Sequence, residues 1–179
     1  MLPPLIHEQF VANETTVTMR TILPSDAGME QGFMARLSLR SRHYRFLSGL
    51  KALTPDMLTR YINVNYPEEM ALIATVQTAA GEQEIAVARY AQWSTPGAVE
   101  FAIVVADEWQ RRGIGRRLLE RLFAIARADG HEAIEGLVLR ENTGMLGLIT
   151  KLGFTRHRSE DDASVVRVRL EFQPQTQTH

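Results

Sequence analysis

The sequence predicts an α+β fold in which an antiparallel meander of strands precedes a strand–helix–strand–helix unit. Three segments rich in branched residues form the meander: MALIATVQ (70–77), IAVARYAQW (85–93) and VEFAIVVA (99–106). The short segments between them, AAGEQ and a Thr-Pro-Gly sequence, are typical of turns. After residue 106 the period changes, because a loop with two glycines leads into an amphipathic helix. This change indicates that strands and helices alternate in the second half.

The other predicted elements are placed by their periodicity and by capping residues. Three further strands are predicted, at 16–23, 133–140 and 165–172. Four helices are predicted, over 25–39, from 55 onward, over 113–128 and over 142–153. Ser25 or Asp26 would cap the first helix, Thr54-Pro55 would start the second, and Asn142 or Thr143 would cap the fourth. The segment RSRHYRF between the first two helices is interpreted as a polar joint.

No repeat, linker or charge block divides the chain. We therefore expect one domain over 15–173, an arm of uncertain order at 1–14 and a disordered tail at 174–179. With 179 residues and 45% hydrophobic content, such a domain can bury a sizeable core. The apolar runs are too short to span a bilayer, and the first residues do not resemble a signal peptide. A cytoplasmic location is therefore the expectation.

Composition excludes several kinds of site. The chain has no cysteine, which excludes disulfides, thiolate metal ligands and a cysteine nucleophile. His43, His131 and His157 are isolated in the sequence, so no metal site is expected. A net charge of -1 gives no overall attraction to nucleic acid or to an acidic membrane, and neither is expected as a partner. Basic residues are instead concentrated in one loop.

That loop is the segment WQRRGIGRRLLERL (109–122), in which two glycines stand between two arginine pairs. At the start of a helix the first backbone N–H groups lack partners, and the helix dipole is positive there. Glycines let an anionic group approach this backbone, and arginines add charge that suits a polyphosphate. The spacing therefore favours a ligand that carries phosphate.

Other interpretations of the loop fit less well. The dinucleotide fingerprint would need a third glycine where Leu118 stands, and the phosphate loop of nucleotide hydrolases would need Gly-Lys-Ser/Thr. Nucleic-acid binding would have only Trp109 as a nearby stacking aromatic residue. A helix start with capping glycines and solvated arginines remains open, because Arg116 and Glu120 stand at a favourable i,i+4 spacing.

The loop also resembles a known family signature. Val105 followed by Gln110-Arg111-Arg112-Gly113-Ile114-Gly115 resembles the Gln/Arg-x-x-Gly-x-Gly/Ala motif of the GCN5-related N-acetyltransferases (GNAT), and the order of elements agrees over about 16–172. Asn142 with Leu152-Gly153-Phe154 resembles a later motif of that family. The resemblance implies the GNAT fold, with a mixed, mostly antiparallel central sheet of about six to seven strands flanked by about four helices. SLRSRHYRF and YPEEMALIA are similar to the catalytic domain of bacterial Pat-type protein lysine acetyltransferases.

The resemblance further implies a cofactor and the residues that hold it. In the family the glycine loop holds the pyrophosphate of acetyl-CoA, and the asparagine contacts the pantetheine arm. A backbone N–H of Val104 or Val105, unpaired where the central strand diverges from the next, would donate to the thioester carbonyl. The expected acetyl-CoA-binding residues are Val104, Val105, Gln110, Arg111, Arg112, Gly113, Ile114, Gly115, Arg116 and Asn142.

Glu100 is the candidate general base. A lysine-type amine has a pKa of about 10.4, so at neutral pH it is protonated and a base must take the proton before it can attack. Glu100 lies in an apolar strand and resembles the catalytic glutamate of the Pat-type enzymes. Burial would raise its pKa toward a useful range. The alternative is a surface glutamate on the outer face of the strand.

The sequence departs from the family at one catalytic position. Many relatives have a tyrosine seven residues after the asparagine, where it can protonate the leaving thiolate, and Ile149 stands there in this chain. The loss is chemically tolerable, because a thiol with a pKa of about 8.5 leaves reasonably well as a thiolate. Four tyrosines are alternative donors, and the sequence selects none of them: Tyr44, Tyr61, Tyr66 and Tyr90.

The sequence therefore predicts an N-acetyltransferase that moves the acetyl group of acetyl-CoA to a primary amine, with a protein lysine ε-amine as the favoured acceptor. A small amine, such as a polyamine, amino acid or aminoglycoside, is the alternative acceptor. A non-catalytic module that senses acyl-CoA is the alternative from another class of protein. Such a sensor would not require a carboxylate at position 100.

Overall fold

The computed structural model describes residues 1–47, 53–93 and 95–173, and the predicted tail at 174–179 lies outside these described residues. In the described part there are five α-helices: α1 (Ala27–Arg36), α2 (Leu39–Phe46), α3 (Pro55–Ile62), α4 (Ile114–Ala128) and α5 (Thr143–Lys151). Eight strands are described: β1 (His7–Ala12), β2 (Thr15–Thr21), β3 (Glu69–Thr78), β4 (Gly81–Gln92), β5 (Ala98–Val105), β6 (Ala133–Leu139), β7 (Thr155–Arg158) and β8 (Val165–Glu171). None of the described helices is long and apolar enough to cross a membrane.

All eight described strands belong to one mixed sheet, in the order β1-β2-β3-β4-β5-β6-β8-β7. Strands β5 and β6 are parallel, and the other neighbours are antiparallel. The predicted α+β class and the mostly antiparallel sheet are confirmed. The predicted numbers were slightly low, since six to seven strands and four helices were expected.

Three elements were not predicted, and each has few buried residues to reveal it. Strand β1 lies within the expected arm at 1–14 and pairs with β2 at the edge of the sheet. Strand β7 (TRHR) is exposed along its whole length, so no alternation of polar and apolar residues marks it. Helix α2 occupies the predicted polar joint, and among its residues only Ser41 is buried. Patterns of burial predict elements only where burial is periodic.

Two of the three predicted helix caps are present. The Thr54 hydroxyl accepts a hydrogen bond from the Met57 amide (3.2 Å), and the Asn142 Oδ1 accepts one from the Met145 amide (3.2 Å). At the first helix the structure differs, because α1 has no side-chain cap. The Asp26 carboxylate instead accepts hydrogen bonds from the Leu23 amide (2.7 Å) and from the Arg20 guanidinium.

The core lies on both faces of the sheet. On one face, α4 buries its apolar stripe, including Leu118, Leu122 and Phe123, against the strands and α5. On the other face, Phe33 of α1 and Ile62 of α3 pack with Val104 of β5. Strand β5 therefore lies between two hydrophobic layers, and its successive side chains point alternately into one and the other.

Strands β5 and β6 pair only at their beginnings. Their register joins Ala98–Glu100 to Ala133–Glu135, and β6 then continues to Leu139 paired with β8 alone. At the first position beyond this pairing, the Phe101 ring lies 2.5 Å from where a Cβ on Gly136 would stand. A glycine is therefore needed at 136 for the ring to occupy this place. Beyond it, the edge of β5 that faces β6 is unpaired.

Candidate active site

A cleft of about 650 Å³ opens where β5 and β6 diverge. Its walls are α2, β5, the loop before α4, and the start of α5. All predicted site residues except Arg112 line it: Glu100, Val104, Val105, Gln110, Arg111, Gly113, Ile114, Gly115, Arg116 and Asn142. The fold therefore brings the candidate base and the predicted cofactor-binding residues to one cavity.

The backbone amides of Val104 and Val105, the two predicted donors to the thioester carbonyl, point to opposite sides of β5. The Ala106 amide donates to the Ile85 carbonyl on β4 (2.8 Å), and successive residues of a strand present their backbone groups to opposite sides. The Val105 carbonyl accordingly faces away from β4, where it accepts a hydrogen bond from the Gln110 side chain (3.0 Å). By the same alternation the Val104 amide faces β4, and the Val105 amide faces the cleft. Val105 is thus the better donor of the two.

The glycine loop forms the N-terminus of α4. Gly113 adopts a left-handed conformation (φ 79°) and is the residue before the helix, with no side-chain cap. The Arg117 amide makes the first described helical bond, to the Gly113 carbonyl (3.2 Å). The backbone amides from Ile114 to Arg116 have no acceptor within the helix, so they can donate hydrogen bonds to a ligand. Together with the dipole of a fifteen-residue helix they suit an anion.

The loop arginines differ in their contacts. Arg111 and Arg116 line the cleft. Arg116 also pairs with Glu120 (2.7 Å), as its spacing predicted, but both side chains are exposed, so this pair can yield to a ligand. Arg112 lies outside the cleft, because its guanidinium stacks on the Trp109 ring, 4.8 Å from the ring centroid. The Arg112 side chain thus does not line the cleft, and its predicted contact with the cofactor stays a prediction.

A polar cluster joins α2 to the end of β5. The Asp107 carboxylate accepts hydrogen bonds from the hydroxyls of Ser38 (2.7 Å) and Ser41 (3.0 Å). Burial would raise the pKa of Asp107, but these hydrogen bonds outweigh it and lower the pKa. Gln110 donates to the Ser41 hydroxyl (3.2 Å) as well as to the Val105 carbonyl. The Gln110 side chain therefore holds the loop in place, which leaves its backbone for the ligand.

Asn142 stands on the opposite wall of the cleft. Its side-chain oxygen caps α5, as described above, and this bond fixes the orientation of the amide group. The Nδ2 group makes no hydrogen bond with the described residues, so it remains a donor for a ligand in the cleft.

Glu100 lies on the wall of the cleft that α2 covers. Its Oε2 atom is buried and accepts no hydrogen bond within the described part of the chain. Burial raises the pKa of the Glu100 carboxyl, Arg45 opposes this rise, and the negative charge of Glu135 adds to it. A carboxyl group with a raised pKa and a free oxygen can accept a proton from an amine inside the cleft.

Sequence reasoning named Tyr44 as one of four possible donors but placed no side chain of α2 in the site. Arg40, Tyr44 and Arg45 all line the cleft, as does the half-exposed Trp93 at the end of β4. The one available signal was Ser38, a residue type favoured at helix starts, whose hydroxyl accepts a hydrogen bond from the Ser41 amide (3.1 Å). Because RSRHYRF was interpreted as a polar joint and not as a helix, the sequence analysis did not predict that α2 lines the cleft.

A second cavity of about 620 Å³ lies beside β7, β8 and the start of α5. It is lined by basic and apolar residues: Arg140, Leu146, Arg156, His157, Arg158, Ala163 and Val166. Its described lining includes no carboxylate to serve as a base. Among the described residues, no group of three or more histidine or acidic side chains could hold a metal ion. The cleft beside Glu100 is therefore the candidate active site.

Comparison with known proteins identifies the family of the chain. The model of the acetyltransferase (GNAT) family matches residues 40–154. Acetyltransferase PA5475 of Pseudomonas aeruginosa is 32% identical over 154 residues, which cover 86% of this chain and 83% of that protein. The crystal structure of the GNAT domain of S. lividans PAT has a TM-score of 0.82 and 27% identity, and the match covers 93% of this chain and 97% of that one.

A third relative is named for a small-molecule acceptor. The L-methionine sulfoximine/L-methionine sulfone acetyltransferase of Pseudomonas paraeruginosa is 33% identical over 86 residues, covering 46% of this chain and 49% of that protein. The match to the family model spans more than half of the 179 residues, including α2, β5, the glycine loop and α5. The chain therefore belongs to the GNAT family and is an acetyl-CoA-dependent acetyltransferase.

Proposed function

We propose that the chain transfers the acetyl group to a primary amine, and that the favoured acceptor is a lysine ε-amine of a protein. The observation that carries the proposal is the position of Glu100, whose buried Oε2 has no hydrogen-bond partner in the described part of the chain and lines the same cleft as the glycine loop. A module that only senses acyl-CoA has no need for such a group. Glu30 and Glu84 also have buried carboxyl oxygens without a described partner, so it is the place of Glu100 in the cleft, and not burial alone, that supports a role in proton transfer.

The cleft has the space and the donor groups that acetyl-CoA needs. The space in front of the loop is open, since a Cβ on Gly113 would meet no heavy atom within 4 Å. The amides of residues 114–116 and the guanidinium groups of Arg111 and Arg116 would hold the diphosphate. The Asn142 Nδ2 would donate to the pantetheine arm. When bound, acetyl-CoA would supply the acetyl group as a thioester, whose carbonyl an uncharged amine can attack.

Two groups of this chain would assist that attack. Glu100, directly or through a water molecule, would take the proton that keeps the amine from attacking. The Val105 amide would donate to the carbonyl oxygen as negative charge develops on it. Both groups belong to β5, so their separation is fixed by a strand that is packed on both faces.

Three observations support a lysine side chain as the acceptor. The cleft near Glu100 is partly apolar and aromatic, with Phe46 and Trp93 in its lining, which suits the methylene chain of a lysine. Arg40 and Arg45 line the same cleft, and their charges disfavour a polyamine, which carries several positive charges. The similarity to the GNAT domain of S. lividans PAT, together with the SLRSRHYRF segment, agrees with a protein acceptor.

The direct test is an acetylation assay with acetyl-CoA and three acceptors: a protein mixture of the host, a set of amino acids, and a polyamine. The proposal predicts a mass increase of one acetyl group on protein lysines, with release of CoA, and no such product from Glu100→Gln. Transfer only to an amino acid would contradict the protein lysine as acceptor but would support acetyl transfer to a primary amine. Binding of acetyl-CoA without transfer to any amine would support the sensor and contradict the proposal.

A further inference from the structure

The structure distinguishes the four tyrosines that the sequence could not rank. Tyr90 donates its hydroxyl to Asp129 (2.8 Å), and Tyr66 donates to the same carboxylate, just beyond the end of α4. The Tyr61 ring lies under the Arg89 guanidinium, 4.1 Å from it. None of these three lines the cleft, whereas Tyr44 does. Tyr44 is therefore the one tyrosine available to a ligand there.

The hydroxyl of Tyr44 is oriented as a donor. Arg40, one helical turn earlier on α2, donates its Nε hydrogen to the Tyr44 oxygen (3.1 Å). A hydroxyl that accepts at its oxygen keeps its own hydrogen free to donate elsewhere. The described residues include no acceptor for that hydrogen. The Tyr44 hydroxyl on the wall of the cleft can therefore donate to a ligand there.

Helix α2, which carries Tyr44, packs against β5 and is anchored at its start. Its start is bound to Asp107 through Ser38 and Ser41, just beyond the end of β5. Near its end, Arg45 lines the same cleft as Glu100. Tyr44 therefore lies on an anchored wall of the cleft that also holds the candidate base and the loop proposed to bind the diphosphate.

We propose that Tyr44 is the general acid that protonates the leaving thiolate, in place of the tyrosine that the family has at the position of Ile149. Ile149 is fully buried and apolar, so that position cannot supply a proton. The inference rests on the proposed acetyl transfer.

The protons and electrons of this step balance. The acceptor ammonium first loses one proton through Glu100, and its nitrogen then forms a bond to the acetyl carbon. Glu100 takes the second nitrogen proton, the carbon–sulfur bond breaks, and the sulfur keeps the electron pair and receives the Tyr44 proton. Water in the cleft returns the second proton from Glu100 to the Tyr44 oxygen. Per turnover, the products are the amide, the thiol of CoA and one released proton.

A binding experiment tests the contact without turnover. If Tyr44 donates to the sulfur, it stabilises the thiolate and lowers the pKa of the bound thiol. By linkage, the affinity of CoA should rise with pH relative to S-methyl-CoA, which cannot ionise, by about tenfold per unit of lowering. Isothermal titration between pH 6 and 9 would measure both ligands with the wild type, Tyr44→Phe and the matched control Tyr66→Phe. Because the chain has no cysteine, a reductant can keep CoA as the thiol without altering the protein.

The second measurement uses the leaving group. Tyr44→Phe should lower kcat with acetyl-CoA by about tenfold or more, while KM for acetyl-CoA changes little. The loss should shrink with an acetyl thioester of a more acidic thiol, which leaves without a proton. Tyr66→Phe should behave as the wild type with both donors.

The outcomes distinguish a wrong assignment of Tyr44 from a wrong proposed function. A pH-dependent gain in CoA affinity that is the same in the wild type and Tyr44→Phe would overturn the assignment of Tyr44 and leave the proposed function intact. A loss of kcat that is equal for both thioesters would overturn it as well, since a structural defect would not depend on the leaving group. Absence of CoA binding by the wild type would overturn the proposed function and this inference with it.

Discussion

Glu100 and Glu135 are register partners on neighbouring strands, yet their carboxyl groups have opposite surroundings. Glu135 accepts hydrogen bonds from Arg167 (2.5 Å) and Arg169 on β8. Burial would raise the pKa of Glu135, but these bonds outweigh it and the pKa is lowered. Glu100 has a buried oxygen without a partner in the described part of the chain, and its pKa is raised.

The two carboxyl groups differ because different structures lie next to their strands, β5 and β6. Beyond β6 lies β8, whose register places Arg169 directly opposite Glu135. Beyond the β5 edge lies the cleft, where the described residues supply no hydrogen-bond partner for Oε2 of Glu100. The comparison teaches that residue type and burial do not decide the role of a carboxyl group. Its neighbours fix Glu135 as a structural anion and leave Glu100 able to exchange a proton.

The largest expected effect is on turnover. Glu100→Gln keeps the size and polarity of the side chain but removes the base, so kcat should fall by about a hundredfold or more. Steady-state kinetics would measure this, and isothermal titration should show unchanged affinity for acetyl-CoA. Turnover equal to that of the wild type would remove Glu100 from its assigned role.

The same substitution at the register partner should affect stability instead. Glu135→Gln removes the anion that Arg167 and Arg169 share, although Arg169 keeps its ion pair with Glu171, and should lower the free energy of unfolding at pH 7 by about 1–2 kcal/mol. This is less than for a fully buried pair, because Arg167 is 44% exposed. A carboxyl with a lowered pKa stabilises the fold above its unfolded pKa, and that stability is lost as pH falls through the folded pKa. The difference measured by urea unfolding should therefore narrow at pH 3, and a constant difference would contradict the ion-pair account.

A smaller effect is expected at the loop that would hold the diphosphate. Gly113→Val forces a branched residue into a left-handed conformation and should weaken acetyl-CoA binding about tenfold, by moving the backbone amides. Gly130→Val is the matched control, because Gly130 has φ 85° and a Cβ there also meets no heavy atom within 4 Å. Both variants should lose similar stability in thermal unfolding, and only Gly113→Val should lose affinity in isothermal titration. Equal affinity of the two variants would argue against the loop as the binding site.

The smallest effect is predicted at a carboxyl group whose pKa is raised away from the cleft. Glu84 is fully buried, and burial together with the nearby Glu30 carboxyl raises its pKa well above the usual range. Such a group stabilises the fold below its unfolded pKa, and this stability is lost as pH rises through the folded pKa. Glu84→Gln should therefore raise the stability at pH 8 relative to the wild type by roughly 1 kcal/mol.

Turnover of Glu84→Gln should equal that of the wild type, because Glu84 does not line the cleft. Thermal unfolding at pH 5 and pH 8, with kinetics at pH 8, would check both statements. A large loss of turnover would show that a carboxyl with a raised pKa matters to catalysis even outside the cleft. It would contradict the statement that the neighbours of a carboxyl group in the cleft decide its role.

Sequence reasoning placed the site where strong periodicity and capping chemistry agree. The strand 99–106, the glycine loop and the amphipathic helix after it are β5, the N-terminus of α4 and α4 itself in the structure. Asn142 was predicted both as a cap and as a cofactor ligand, and its two amide atoms allow both roles. In such segments local chemistry alone determines the structure.

The parts that sequence reasoning missed depend on distant partners. Helix α2 is short and polar, and what holds it is the carboxylate of Asp107, 69 positions after Ser38. Its contribution to the cleft, including Tyr44 and Arg45, could not be derived without that contact. Gly136 was a usable signal, because a glycine inside a strand often marks a close approach of another group. Here that group is the Phe101 ring, at the point where β5 and β6 separate.

The pH dependence of kcat/KM in the wild type, Glu100→Gln and Glu135→Gln tests the role of Glu100 most directly. A base must be deprotonated to act, so activity should fall as pH drops through the Glu100 pKa, at a pH above that of an ordinary glutamate. Glu135→Gln removes a nearby negative charge and should move this acid limb to lower pH, while Glu100→Gln should abolish it. An acid limb that stays in place in all three proteins would contradict the account.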